Sequence, residues 1–488
     1  MASAALAQEA MLEVRNPRTG QIDFDLAVAS ASDVAEKAAR LRANQPAWEA
    51  MGVDGRCAVM ARWLGAVKQR AADIGEADAV DTGGCHTSYL QGFITMGNIA
   101  GWLEDAPKAF ESLKWQGMSS SMPTVEVESQ VVAYPIVGVI SPWNAPLMLA
   151  LLDAVPALFA GSAVLLKPSE VTPRVIETLF ETVREVPELA AVFDYVTGPG
   201  HVGQAVIAEA DTICFTGSVS TGRKVAVACA ERLIPCNLEL GGKDPCVVTA
   251  SADLERAATA VLRGAVYATG QVCYSVERVY VHESVHDAFV ARLVEKAEAV
   301  RLNADDPRAG HIGPFTFAPQ ADIVKRHLDD AVAKGATILT GGEIETIGGG
   351  LYLRPTVLTG VTHDMLIMQD ETFGPCIPVM AYSDTEEAIG LANDTPFGLT
   401  ASVIAGDIEE AKAIGRRINA GGIFLQDTFL TFAKLRTFGS DSFGWSGYGA
   451  PRIGPESLRR FLRRKSLLSQ HGPVADIQND HHLGKPGA

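Results

Sequence analysis

Cys273 stands in Gly270-Gln271-Val272-Cys273, 34 residues after Glu239 of Leu238-Glu239-Leu240-Gly241-Gly242-Lys243. A thiol can attack an aldehyde carbon and hold the product as a thioester, and a carboxylate beside it can activate water to release that product. Most cysteines in a folded chain are small buried hydrophobes. With eight cysteines present, Cys273 is singled out only if the surrounding elements bring it to a carboxylate and a ligand cleft.

Those elements come in an alternating order. Ser32–Trp48 and Asp54–Gly75 carry apolar residues at helical spacing, and Thr124–Tyr134 is polar, β-branched and strand-like. Short apolar runs at Ile136–Ser141, Ala163–Lys167, Val192–Thr197 and Thr212–Thr216 then alternate with helical stretches at Pro146–Phe159, Thr172–Val186, up to Glu209, and Ser220–Arg232. This alternation predicts an α/β fold, a parallel sheet with crossover helices wound on both faces. Such sheets bind ligands beyond the C-terminal ends of their strands. The segments predicted there, Ser141–Asn144, Lys167–Glu170, Gly198–Gly200 and Gly217–Gly222, are the polar and glycine-rich ones. A second alternating stretch, from Pro245 to about Leu425, contains the apolar runs Val276–Val281, Pro378–Tyr382 and Gly422–Leu425, with helices such as Val285–Val300 and Ala321–Lys334, and reads as a second α/β domain.

The chain of 488 residues is 47% apolar and 20% charged, a composition of folded domains. Its net charge of −17 disfavours nucleic acid and anionic membrane as partners. An anionic cofactor must therefore be met by helix N-termini and placed lysines. The N-terminus lacks a secretory pattern, and Ala145–Leu166, the most apolar stretch, is broken by Asp153 and Pro156. Cys57, Cys85, Cys214, Cys229, Cys236, Cys246, Cys273 and Cys376 form no CxxC pair. That is usage of a reducing, cytoplasmic compartment, with no zinc signature and no bound metal expected. His481 and His482 lie in a polar, glycine-rich tail.

Three loops are candidates for a dinucleotide. Gly198-Pro199-Gly200-His201-Val202-Gly203 matches G-x-G-x-x-G but lacks the acidic residue some 20 positions later, and reads as a turn near the adenosine rather than the phosphate loop. Gly217-Ser218-Val219-Ser220-Thr221-Gly222 opens a helix and can present backbone N–H groups to a pyrophosphate, or be an ordinary cap with Ser220. Lys167-Pro168-Ser169-Glu170 can reach ribose hydroxyls, or form a surface salt bridge; Glu170 would favour NAD, since a 2′-phosphate would meet its charge.

Together these segments resemble the aldehyde dehydrogenase superfamily over roughly Val14 to Leu468. The matching pieces, in the family's order, are Ser141-Pro142-Trp143-Asn144, Lys167–Glu170, Phe215-Thr216-Gly217-Ser218, Glu239–Lys243, Gly270–Cys273, Glu371-Thr372-Phe373-Gly374-Pro375 and Asn393-Asp394-Thr395-Pro396-Phe397-Gly398-Leu399. The resemblance implies a Rossmann-type cofactor domain (1–115 and 135–241), a catalytic domain (242–455), a small β oligomerisation arm (116–134 and 456–472) and a flexible tail (473–488). It implies Cys273 as nucleophile, Glu239 as general base, and Asn144 with the backbone N–H of Cys273 as oxyanion hole. It also implies that Trp143, Lys167, Ser169, Glu170, Gly217, Ser218, Gly222, Glu371 and Phe373 bind NAD, with NADP as the alternative. Dimers or tetramers follow from the same resemblance. Coenzyme A-acylating members usually lack the carboxylate, so Glu239 favours hydrolysis to the acid.

The chain departs from the family pattern at Leu152-Asp153, where many members have a lysine, and at Phe461–Lys465, where many have a glutamate. The loop Phe438–Gly449 is about two residues longer than usual. The matched pocket positions, Ala145, Leu149, Leu152, Val272 and Tyr274, are apolar and suit an uncharged aliphatic or aromatic aldehyde. Two rival readings are a cofactor-independent thiol hydrolase or acyl-transferase, which leaves the Gly217 and Lys167 loops without a purpose, and a silent structural homologue, which would have no need of Cys273.

Overall fold

The computed structural model describes residues 11–84, 88–474 and 476. Cys85, the His481–His482 pair and most of the tail lie outside the described residues. The apolar runs become strands buried on both faces, as parallel sheets covered by helices require. In the first sheet Ile136–Ile140, Ala163–Lys167 and Phe193–Tyr195 pair in parallel to one side, and Thr212–Thr216 then Cys236–Glu239 to the other. The order reverses between 136–140 and 212–216, so a crevice opens beyond these two strands. The Asn144 turn and the Gly217 loop lie there. Gly447–Tyr448, from far along the chain, pairs antiparallel with Leu238–Glu239 and closes that edge.

A second sheet of seven strands runs 337–340, 356–359, 376–382, 276–282, 244–248, 400–404 and 422–425. All neighbours are parallel except Thr337–Thr340, which is antiparallel to Thr356–Thr359. Asp244–Val248 begins five residues after Glu239, so one short link carries the chain from one sheet to the other. The core of the first unit joins its strands to the helix Pro146–Ala160 and to Ala31–Ala50 and Gly52–Thr82, with Trp48 and Trp63 essentially unexposed. Each such side chain contributes roughly 1.5–3 kcal/mol on leaving water.

A separate three-stranded antiparallel sheet has Val125–Ala133 between Gln116–Met118 and Leu462–Gln470. The last strand pairs over nine residues on one side only, and all of it beyond Leu462 is exposed. Periodicity did not reveal Gln91–Glu111, a helix packed on 52–82 and 146–160. No described helix is long and apolar enough to cross a membrane.

Candidate active site

Cys273 follows a backbone that is locally forced. After the helix Leu254–Val266, Ala268 (φ 49°), Thr269 (φ 60°) and Gly270 (φ 70°) are all left-handed. A β-branched residue resists this conformation, at a cost of about 1–3 kcal/mol. Thr269 is held by its hydroxyl, which donates to the Gly313 carbonyl at 2.9 Å and accepts from the Gly313 N–H at 3.1 Å. A Cβ on Gly270 would lie 2.3 Å from the Gly374 carbonyl oxygen, so only glycine lets the two loops meet. The turn thereby delivers Cys273 against the Gly241–Gly242 backbone.

Two chambers meet at this sulfur. One, about 230 Å³, is lined by Trp143, Asn144, Gly217, Ser218, Glu371 and Phe373 together with Cys273. The other, about 80 Å³, is lined by Leu149, Leu152, Glu239, Tyr274, Lys434 and Arg452, again with Cys273. A larger chamber of about 300 Å³ continues from it and shares Met148, Leu152, Phe432, Leu435, Arg452 and Ile453. Burial, then the carboxylates of Glu371, Glu239 and Asp244, push the Cys273 thiol up to about 12.

Glu239 ends its strand and its Oε2 accepts from the Ser442 hydroxyl at 2.9 Å. The Leu240 N–H donates to the Ser446 carbonyl at 2.8 Å, so the long 438–449 loop is stitched to the segment bearing the carboxylate. Burial raises the Glu239 carboxyl, and Arg452 is the foremost charge opposing that rise. The Asn144 amide donates to the Gln271 carbonyl at 2.9 Å, which ties the turn after 136–140 to the cysteine loop.

On the other side, Glu371 Oε1 accepts from the Gly242 N–H at 3.1 Å, and its carboxyl is raised by burial, then by Glu277. A Cβ on Gly241 would lie 2.2 Å from Glu371 Oε2, so the glycine makes that approach feasible. Trp143 and Phe373 meet edge to face at 5.5 Å. Lys167 Nζ and Glu170 Oε2 pair at 2.8 Å at the end of 163–167, and Ser169 accepts from the Val171 N–H. Ser218 caps the helix Val219–Glu231 by accepting from the Thr221 N–H, and this helix N-terminus suits a pyrophosphate. Amides at a helix start, a lysine–glutamate pair at the end of strand 163–167 and an aromatic-walled cleft fit a dinucleotide.

The remaining sequence-identified residues take the following places. At Gly222 a Cβ would lie 2.6 Å from Leu240 Cδ2, so the glycine brings the helix against that leucine, which lines the cleft. Gly198–Gly203 sits after the edge strand Phe193–Tyr195, away from the crevice at the reversal of strand order. Of the five apolar pocket positions, Leu149, Leu152 and Tyr274 line the small chamber, whereas Ala145 and Val272 do not.

Sequence reasoning also missed a buried brace. Lys243 Nζ pairs with Glu277 Oε2 at 2.6 Å and donates to Thr372 Oγ1 at 3.1 Å. Glu277 in turn accepts the N–H groups of Thr372 and Phe373, each at 2.8 Å, and so fixes the loop that presents Glu371. Lys243 in the Gly-Gly-Lys run was the available signal; Glu277 carried none.

A thiol between an aromatic-walled cleft and a carboxylate-bearing chamber, on two largely parallel sheets, suits an oxidoreductase. The aldehyde dehydrogenase family profile matches residues 5–467, and the chain belongs to that family. It oxidises an aldehyde with NAD(P). A protein named "Putative succinate-semialdehyde dehydrogenase, NADP(+)" from Mycolicibacterium smegmatis is 37% identical over 440 residues, covering 89% of this chain and 83% of that protein. The structure of "Putative Aldehyde Dehydrogenase PutA" from Anabaena variabilis superposes with a TM-score of 0.92 at 43% identity, covering 96% of this chain and 99% of the other. A betaine aldehyde dehydrogenase from Staphylococcus aureus in complex with NAD+ gives 0.89 at 27% identity, covering 96% and 93%.

Proposed function

We propose that Cys273 is the nucleophile, Glu239 the general base and Asn144, with the Cys273 backbone N–H, the oxyanion hole of a hydrolytic aldehyde dehydrogenase. The observation that carries this is the position of Cys273 in both chambers, with Glu371 and Phe373 on one side and Glu239 on the other. Once the Cys273 thiol has lost its proton to solvent, the thiolate adds to the aldehyde carbon, and the new oxyanion is met by donors already in place, one of which contributes about 2.7–4 kcal/mol. Bound nicotinamide supplies the hydride acceptor through which the adduct becomes a thioester. Glu239 then takes a proton from water, whose oxygen adds to the acyl carbon; the carbon–sulfur bond breaks and the thiol is regained.

Glu371 and Phe373 would hold the nicotinamide end, Gly217 and Ser218 the pyrophosphate, and Lys167 and Glu170 the adenosine ribose. The same reading takes 1–115 with 135–241 as the cofactor domain, 242–455 as the catalytic domain, and 116–134 with 456–472 as the oligomerisation arm. The substrate is an uncharged aldehyde with an apolar chain. Leu149, Leu152, Met148 and Phe432 wall its path, while the cations there face carboxylates of the protein: Arg452 is paired with Asp153, and Lys434 is opposed by Glu239 and Asp244. A reducing, cytoplasmic setting accords with the seven described cysteines being free thiols.

NAD is the preferred nucleotide, because a 2′-phosphate would have to approach the Glu170 carboxylate. Initial rates with a panel of aliphatic, aromatic and semialdehyde substrates, each with NAD and with NADP, test the whole reading. Glu170→Ser should improve kcat/KM for NADP at least tenfold relative to NAD, and an unchanged ratio would remove Glu170 from the choice of nucleotide. The exposed strand Leu462–Gln470, with Leu468 67% exposed, is a row of unused pairing groups suited to a second copy. Leu468→Glu is expected to lower the mass measured by light scattering to that of a smaller assembly; a native variant of unchanged mass would place the interface elsewhere.

A further inference from the structure

A buried charge cluster reaches the chamber of Glu239 through Arg452. Asp153, on the helix Pro146–Ala160, accepts from Arg452 Nη2 at 2.7 Å through one oxygen and from Arg460 Nη2 at 3.0 Å through the other. The same Arg452 Nη2 donates to the Leu149 carbonyl. All three side chains are at least nine-tenths buried. Two guanidinium groups on one carboxylate leave the cluster one positive charge in excess, and a buried charge requires a counter-charge. Arg452 forms the wall of the chamber that also holds Glu239 and Cys273, and its Nε has no hydrogen-bond partner among the described residues.

We propose that Arg452, clamped by Asp153 and backed by Arg460, is a positioning residue that supplies the counter-charge of Glu239 and keeps this carboxylate ionised for thioester hydrolysis. The inference rests on Glu239 being the general base. The groups facing Glu239 are Arg452 and Arg460 from the C-terminal segment, Asp153 from the 146–160 helix, Ser442 from the long loop, Lys434 from the 431–434 turn, and Cys273. Burial lifts the Glu239 carboxyl; Arg452 opposes the lift most, then the Ser442 hydrogen bond and Arg460, while Asp153 adds to it. Lys434, in the same chamber, donates to Ser440 Oγ at 2.8 Å and interacts with the Glu239 charge. Removing the Arg452 charge therefore leaves Glu239 protonated to higher pH. Hydrolysis needs the ionised form, so turnover is lost at neutral pH and regained in alkali.

Arg452→Gln should test this, because Asp153 keeps Arg460 as partner. In rapid mixing of enzyme, NAD and an oxidisable aldehyde, the first stoichiometric burst of reduced nucleotide should persist. The steady rate at pH 7 should fall about tenfold, and the acidic limb of its pH profile should move up by about one unit, the shift that corresponds to tenfold in ionisation. Arg452→Lys should restore most of the rate. A proportional fall at every pH, with the limb unmoved, would show a merely structural role and overturn the proposal, as would loss of the burst itself, which would place the effect on Cys273. If Arg452→Gln fails to fold, Arg452→Met, which also removes the charge while keeping the apolar stem, decides by the same criterion. Glu239→Gln run in parallel separates the two levels: full steady turnover in that variant would remove Glu239 as base, whatever Arg452 does.

Discussion

Cys273→Ser should abolish aldehyde-dependent reduction of NAD, lowering the rate about a thousandfold or more while the protein still folds and binds nucleotide. The substitution exchanges one atom in a half-buried position, so the loss reports chemistry rather than packing. The setting explains why the loss is so complete. Burial and three nearby carboxylates push the thiol up to about 12, and a hydroxyl in the same place ionises far less readily. The check is absorbance of the reduced nucleotide, with binding followed separately by fluorescence quenching. In nucleotide-free wild type, alkylation of Cys273 by iodoacetamide should be slow at pH 7 and rise roughly tenfold per pH unit, since only the thiolate reacts. Turnover within tenfold of wild type in Cys273→Ser would end the covalent mechanism.

Glu239→Gln should separate the two halves of the reaction. Its shape is nearly unchanged, and the Ser442 hydroxyl can still bond the amide oxygen. Acylation persists as a single burst of reduced nucleotide, but no carboxylate remains to take the proton from water. Steady turnover should fall about 10²–10⁴-fold, the usual contribution of a general base. Mass spectrometry of the quenched protein should show the acyl group on the peptide containing Cys273. A variant with neither burst nor adduct would place Glu239 in the first half-reaction instead.

Much of this architecture can be read from order along the chain. Runs such as Ile136–Ile140 and Ala163–Leu166 carry no polar side chain because both faces of their sheet are covered, and the helices between them set the direction of pairing. The reversal of strand order then puts the Asn144 turn beside the Gly217 loop, so these residues were legible before any coordinates. Contacts made across long separations were not. Lys243 and Glu277 are 34 residues apart and show no local pattern, yet together they fix the loop bearing Glu371. Asp153 looked like an interruption of an apolar helix, and only the fold reveals the two arginines that justify it. The left-handed turn at Ala268 and Thr269 was equally hidden, because neither residue type prefers that conformation and tertiary contacts impose it. Pocket lining failed for a related reason: apolar neighbours in sequence identified one wall, while Lys434 and Arg452 arrive from the other end of the chain.

The late arrival of Gly447–Tyr448 at the edge of the first sheet has a consequence for biosynthesis. The strand that ends in Glu239 is completed by residues that leave the ribosome some two hundred positions after it, and the guanidinium at 452 follows later still. A nascent chain can therefore fold its nucleotide-binding strands early and yet have no assembled water-activating centre. A fragment ending before residue 447 would carry Cys273 without the strand that closes the edge at Glu239, so it should lack the turnover of the longer chain.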